Sequence, residues 1–152
     1  MAKQMIKTLS MLMLLAVVAL ATAAAVSAQS ARRVVATVPF SFTVGDKQMP
    51  AGTYSVQPTS TGSGIMRIAG TENSKSIVRL TNSAHRRDTG KGKLVFHRYQ
   101  DQYFLAEIWT AGESEGRQLL KSNREKAMQR EQLASNPSKQ AYQVIEVMVV
   151  GQ

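Results

Sequence analysis

The eighteen residues from Lys93 to Thr110, KLVFHRYQDQYFLAEIWT, constrain the fold more than any other part of the chain. The protein has four phenylalanines, four tyrosines and one tryptophan, and five of these nine aromatic residues, Phe96, Tyr99, Tyr103, Phe104 and Trp109, fall here. β-Branched and aromatic side chains suit a pleated, half-buried surface, so the stretch reads as strand, turn at Gln100 and Asp101, then strand, a long β-hairpin. A two-residue turn sets Phe96 opposite Leu105, Arg98 opposite Tyr103 and Leu94 opposite Glu107, with Val95, His97, Phe104, Ala106 and Ile108 on the other face. A three-residue turn would move those assignments. Both faces then have apolar centres, and a sheet apolar on both sides needs two covers. The expected covers are further strands on one side and the chain's one helix, or a second sheet layer, on the other.

The flanking sequence supplies both. From Arg33 to Val44, the residues Val38, Phe40, Phe42 and Val44 alternate with Pro39, Ser41 and Thr43, which predicts a strand with the first set buried. Pro39 has no N–H to donate, so the strand is expected at an edge or bulged there. Gly45-Asp46-Lys47 and Met49-Pro50-Ala51-Gly52 read as turns, followed by a short strand from Thr53 to Gln57 with Tyr54 and Val56 facing in. Ile65–Ala69 and Ser76–Thr81 read as strands, Asn82–Gly92 as a long basic loop, and Arg117–Leu120 as another short strand. Ser122 and Glu125 have the spacing of a capping box, predicting a helix to about Ala134 that ends at Ser135-Asn136-Pro137. Its thin apolar stripe, Ala127, Met128, Leu133 and Ala134, predicts a surface position. Tyr142–Val149 is too apolar for an open edge and is expected to pair beside the first strand or the hairpin.

The first 28 residues have the pattern of an export signal: Lys3 and Lys7, an uncharged apolar run from Met11 to Leu20, and Val26-Ser27-Ala28 as a small-residue cleavage site. The alternative is an uncleaved anchor, since Leu9 to Val26 approaches spanning length; the alanine-rich second half favours cleavage. Residues 29–152 then form one domain of 124 residues, enough for a real core. Without Lys3 and Lys7 that domain has 17 basic against 10 acidic side chains, a net charge of about +7. In an exported protein such a balance points to anionic envelope polymers, polysaccharide or lipid head groups rather than nucleic acid, against the plainer reading of a soluble basic surface with no particular partner. The absence of cysteine excludes disulfide staples and thiolate chemistry.

VPFSFTVG at Val38–Gly45, PAGTY at Pro50–Tyr54, KLVFHRY at Lys93–Tyr99 and QYFLAEIW at Gln102–Trp109 together resemble a group of small, exported, β-rich bacterial proteins of unknown function. The resemblance spans most of residues 29–152. It implies export and a compact β domain, and transfers no catalytic residue, ligand or partner. PAGTY alone also resembles a segment of prealbumin-like and other β-sandwich modules of surface proteins.

Chemistry-bearing clusters are few. His85 and His97 lack metal-ligand spacing, and His97 reads as a strand residue satisfied by a neighbour. No serine sits in a nucleophile elbow, and TGKGK at Thr89–Lys93 lacks phosphate-loop spacing. Glu113 and Glu115 read as solvated turn charges. Glu107 with Trp109 and Tyr103 could form a sugar-type site, against the plainer reading that Trp109 is core and Glu107 pairs with Arg98 or a lysine. The candidate binding residues are therefore Arg86, Arg87, Lys91 and Lys93 in and beside the basic loop, and Tyr99, Tyr103, Glu107 and Trp109 on the hairpin. The fold expected is all-β, a small antiparallel β-sandwich or barrel of about eight strands with one peripheral C-terminal helix at about 122–134. The function expected is a non-catalytic periplasmic or secreted domain, structural or binding, with no cofactor or metal. The alternatives are a small barrel carrying an apolar ligand and, behind it, a carbohydrate-active enzyme around Glu107.

Overall fold

The computed structural model describes residues 33–60, 62–87, 89–137 and 140–150. The expected signal segment, residues 1–28, lies outside them. Residues Arg32–Gln152 form a compact unit by themselves. Among the described residues there are ten strands and one helix: β1 Val34–Val38, β2 Phe42–Val44, β3 Lys47–Met49, β4 Gly52–Pro58, β5 Ile65–Gly70, β6 Ser76–His85, β7 Lys93–Tyr99, β8 Gln102–Trp109, β9 Glu115–Leu119, α1 Asn123–Ser135 and β10 Gln143–Met148. The domain is mostly β with one short helix, as the alternation and turn spacing predict. The strand count rises from about eight to ten because Pro39 splits the first strand into β1 and β2, and Lys47–Met49, inside the segment read as consecutive turns, pairs with β2 as β3.

Antiparallel ladders connect β1, β4, β5, β6, β9, β8, β7 and β10 in that order. The path curls back on itself, because Val150 N–H donates to Val35 O at 2.8 Å and brings the chain after β10 to β1. This arrangement is a barrel-like ring, in which joining the two end strands reduces the open edge an apolar β10 would otherwise present. β10 pairs with the hairpin strand β7 and touches the first strand, so both expected neighbours are present.

β6 carries the sheet around its bend. Its first half, Ser76–Leu80, pairs with β5, and its second half, Thr81–His85, pairs with β9. At the handover, buried Thr81 donates from both its backbone N–H and its hydroxyl to Gly64 O, each at 2.7 Å. Asn82–His85, expected in the basic loop, is thus strand: its polar composition hides a partner 32 residues away, as in Ser83 to Glu115.

The hairpin β7–β8 forms with Gln100 and Asp101 in its turn, Gln100 adopting φ 52°. Phe96 faces Leu105 and Arg98 faces Tyr103, as a two-residue turn requires. Beyond that point the register shifts: Val95 faces Glu107 and Leu94 faces Ile108 rather than Glu107. Ala106 is the extra residue of a β-bulge, which reverses the facing of everything after it. Ile108 therefore joins Leu94, Phe96 and Leu105 in the interior cluster instead of the opposite face.

The ring is closed at one end by β2–β3. Phe40 stacks on Tyr103 with centroids 4.0 Å apart, and Phe42 meets Tyr54 and Phe96 edge-on at 5.0 and 5.3 Å. Thr43 bridges Phe104 in a parallel contact, Met49 is fully buried, and Lys47 Nζ donates to Ser76 O at 2.8 Å. The β2–β3 hairpin thus reaches from β8 to β6 across that end of the ring. Tyr54 OH donates to Pro50 O at 2.6 Å and pins the corner leading into β4.

On the outer face Trp109 lies flat on Gly116, where a Cβ would collide with the indole ring. The clash involves a packed ring rather than a flexible tip, so overpacking is the expected penalty. Gly116→Ala is predicted to lower unfolding free energy by about 2 kcal/mol, measured by denaturant titration; an unchanged midpoint would show that Trp109 is not held there.

Candidate functional site

The end of the ring opposite β2–β3 is open. A cavity of about 300 Å³ lies among Pro58, the loop residues Gly62 and Ser63, Met66, Thr89, Ile108, Thr110 and the segment from Gly112 to Arg117. Pro58 ends β4, Met66 is the second residue of β5, and Ile108 and Arg117 pair across β8 and β9, so the walls come from opposite sides of the ring. The floor is apolar: Met66 and Ile108 are buried members of the interior, with Pro58 beside them.

A polar collar sits above this floor. Arg117 and Glu115, two residues apart on β9, share a face, and the pairing of Ser83 with Arg117 and of His85 with Glu115 puts β6 side chains beside them. Ser83 Oγ donates to Glu115 Oε1 at 3.0 Å, Arg117 Nη1 donates to Ser83 Oγ at 3.2 Å, and Arg117 Nη2 lies 3.5 Å from Glu115 Oε1. Glu115 is half-exposed, so its partner arginine can exchange that contact for a ligand at small cost. An apolar floor with a few fixed polar groups at its rim is the usual make-up of a small-molecule site.

A second polar cluster lies outside the ring, under α1. Ser122 Oγ accepts from Glu125 N–H at 3.1 Å, which is one half of the expected capping box. Glu125 turns its carboxylate inward instead: Oε1 lies 2.9 Å from His97 Nδ1 and accepts from Tyr99 OH at 3.3 Å, with Glu125 only 4 % exposed. Tyr142 covers the imidazole at 3.9 Å between centroids. The helix is therefore docked through this polar contact, while Ala127, Leu133 and Ala134, three members of its expected apolar stripe, are exposed. His97 has the satisfied-neighbour role read from sequence. A void of about 190 Å³ adjoins the pair, but its lining of His97, Ala106, Gln118, Leu119, Leu120, Lys121 and Glu125 includes no hydroxyl or thiol nucleophile. The cluster attaches the helix and covers the hairpin's outer face.

The residues singled out from sequence are scattered. Arg86 is built into the loop: Nε donates to Glu113 O, and the Nη atoms donate to Lys91 O, Gly90 O and Thr110 O, while the guanidinium stacks 5.0 Å over Trp109. Arg87 and Lys91 are exposed, and Lys93 Nζ donates to Glu146 Oε1 at 2.6 Å. Tyr99 is buried under α1 and Tyr103 is half-buried against Phe40. Trp109 is buried on the outer face, and Glu107 accepts from its indole N–H at 2.8 Å rather than pairing with Arg98 or a lysine; two residues apart on β8 they share a face, and the bulge at Ala106 turns both outward. None of these eight residues lines the mouth cavity. The collar residues Ser83, Glu115 and Arg117 carry one legible signal, the Glu-x-Arg spacing, which on a strand puts opposite charges on one face. Among the described residues, no group of three or more His, Cys, Asp and Glu side chains is placed to hold a metal ion, and no helix is long and apolar enough to cross a membrane. Compared with known proteins, the chain matches no family model, no curated protein and no solved structure.

Burial, the adjacent Glu125 carboxylate, the hydrogen bond to it and Tyr142 all push the Tyr99 phenol well above the ordinary tyrosine range; burial also raises Tyr54, against a small lowering by Asn73. A raised phenol keeps its proton in the fold after the unfolded chain has lost it near pH 10, so this stability is full below about pH 10 and falls as pH rises beyond it. Phenolate absorbance should therefore show Tyr99 and Tyr54 ionising late and together with loss of fold, Tyr99→Phe removing part of that late phase. A single transition near pH 10 with the fold intact would contradict the burial of Tyr99 against Glu125.

Proposed function

We propose that this chain is an exported, non-catalytic binding domain that holds a small amphipathic molecule at the mouth of its barrel. The observation carrying this reading is the asymmetry of the ring: plugged by β2–β3 at one end and open at the other onto an apolar floor under a Ser83–Glu115–Arg117 collar. Deep in the ring the space is filled by Phe42, Tyr54, Phe96, Met49 and Ile68, so a ligand is confined to the mouth. Its apolar end rests on Met66 and Ile108, and its head meets Arg117 and the hydroxyls of Thr110 and Ser114. The lysine-flanked apolar N-terminus supports export to the periplasm or beyond, as does the resemblance to small exported β-rich proteins. Attachment to anionic envelope polymer or polysaccharide is a second reading, supported by the basic balance and by exposed Arg87 and Lys91 in the loop that also contributes Thr89 to the mouth.

The test is titration with anilinonaphthalene sulfonate, an amphipathic anion, followed by methyl NMR. Saturable one-to-one binding is expected, with shifts concentrated at Met66 and Ile108 and affinity about tenfold weaker in Arg117→Gln, the loss typical of a charge-assisted hydrogen bond. Unsaturable binding, or shifts at exposed Val78 and Leu80 with the mouth silent, would sink the proposal.

A further inference from the structure

The outer face of β4, β5 and β6 carries a different arrangement, independent of the mouth. Val78 and Leu80 are 51 % and 60 % exposed, and across the ladder Leu80 pairs with Ile65, which is 38 % exposed. The pairing of Thr81 with Leu119 brings Leu120, 51 % exposed, alongside Leu80. Four large apolar side chains thus stand together on solvent, three on β5 and β6 in the middle of the ring and Leu120 just after β9. Scattered exposed leucines need no explanation, but a contiguous set does.

Next to this patch lies a shallow groove of about 400 Å³ lined by Arg33, Ser55, Gln57, Arg67, Ala69, Gly70 and Thr71. Arg67 pairs with Val78, so groove and patch are contiguous. Each arginine is held through Nε by a serine hydroxyl, Arg33 to Ser55 at 2.8 Å and Arg67 to Ser76 at 3.3 Å. Among the described residues the Nη pairs of these two guanidinia make no further bond. A guanidinium fixed at Nε and open at Nη is suited to a phosphate. The strands β1, β4, β5 and β6 contain no Asp or Glu; of the acids that flank them along the chain, Asp46 and Glu72 sit in turns and Asp88 comes after β6 in the sequence. The face therefore combines apolar knobs with two pre-set cations and no anion on its strands, the complement of an anionic lipid surface: phosphates at the arginines and the acyl boundary at the leucines.

We propose that this face docks the domain onto an anionic phospholipid membrane. The experiment is co-sedimentation of residues 32–152 with phosphatidylglycerol-containing vesicles and with pure phosphatidylcholine vesicles at moderate salt. Binding to the anionic vesicles alone is expected. Each of Arg33→Gln and Arg67→Gln should weaken it about fivefold, and Leu80→Gln about five- to tenfold from lost apolar contact. Arg87→Gln with Lys91→Gln, in the loop after β6 and outside the groove lining, should leave partitioning within about twofold. All substitutions are at exposed positions, and far-UV circular dichroism verifies that each variant is folded. Equal binding to phosphatidylcholine, binding indifferent to Leu80→Gln, loss caused by the loop pair instead, or no binding to anionic vesicles would overturn the proposal. Tight retention on an anionic polysaccharide that Leu80→Gln does not affect would reassign the face to a polymer and overturn it equally.

Discussion

The structure depends on one hairpin being apolar on both faces. Phe96, Leu94, Leu105 and Ile108 point one way, and His97, Tyr99, Phe104 and Ala106 are buried the other way. Each buried Leu or Phe contributes about 1.5–3 kcal/mol only if water is kept off it, so neither face can be left open. The inner face is covered by the ring of strands that curls round it. The outer face is covered by α1 and Tyr142, and the unusual part of that cover is its polarity: the helix contributes a carboxylate rather than a row of leucines. Because His97 and Tyr99 present polar atoms to that side, a purely apolar helix would leave them unsatisfied, at about 1–3 kcal/mol each. Among the described residues no buried side-chain nitrogen or oxygen lacks a partner.

Curling the ring creates two ends with different fates. β2–β3 spans one, and its aromatic contacts with Tyr54, Phe96 and Tyr103 make the plug part of the core rather than a lid. At the other end the inward-facing side chains along β6 and β9 change from buried Thr81 and Leu119 to Ser83, Arg117 and Glu115, all polar and at least partly exposed. That change of composition along two neighbouring strands is what turns the mouth into a polar-rimmed cavity instead of a continuation of the core. The Ala106 bulge contributes as well, because it delivers Ile108 to the floor of the mouth and leaves Trp109 outside, over Gly116.

Much of this architecture is legible from residue patterns. Period-two alternation in β1–β2 and the hairpin, the S-x-x-E cap at Ser122 and the β-branched run at β10 each announce their element because the determining contacts are local. The exceptions share a physical cause. The plug strands are three residues long, too short for periodicity to register. The bulge is marked only by an alanine, which any strand tolerates. Asn82–His85 and Glu115 look like loop residues because a strand that faces a solvated mouth has no apolar face to advertise. The inward turn of Glu125 depends on His97, 28 residues away, and an acid at the third helical position reads equally well as a cap. The candidate site leaves little trace in the sequence for the same reason: hydrophobic patterning marks cores, and the aromatic hairpin is core, while the collar is a polar set assembled from two strands far apart in sequence.

These observations give the domain two surfaces of different chemistry, a mouth with an apolar floor and a flank with apolar knobs beside open guanidinia. On the proposed function, the plugged ring presents its mouth to a small molecule. The most direct measurement is native mass spectrometry of the protein isolated without detergent from its own source, beside a variant carrying Met66→Trp to fill the floor of the mouth. One small-molecule adduct per chain is expected, absent from the variant. A bare chain mass for the unaltered protein, or an adduct that survives filling the mouth, would contradict it.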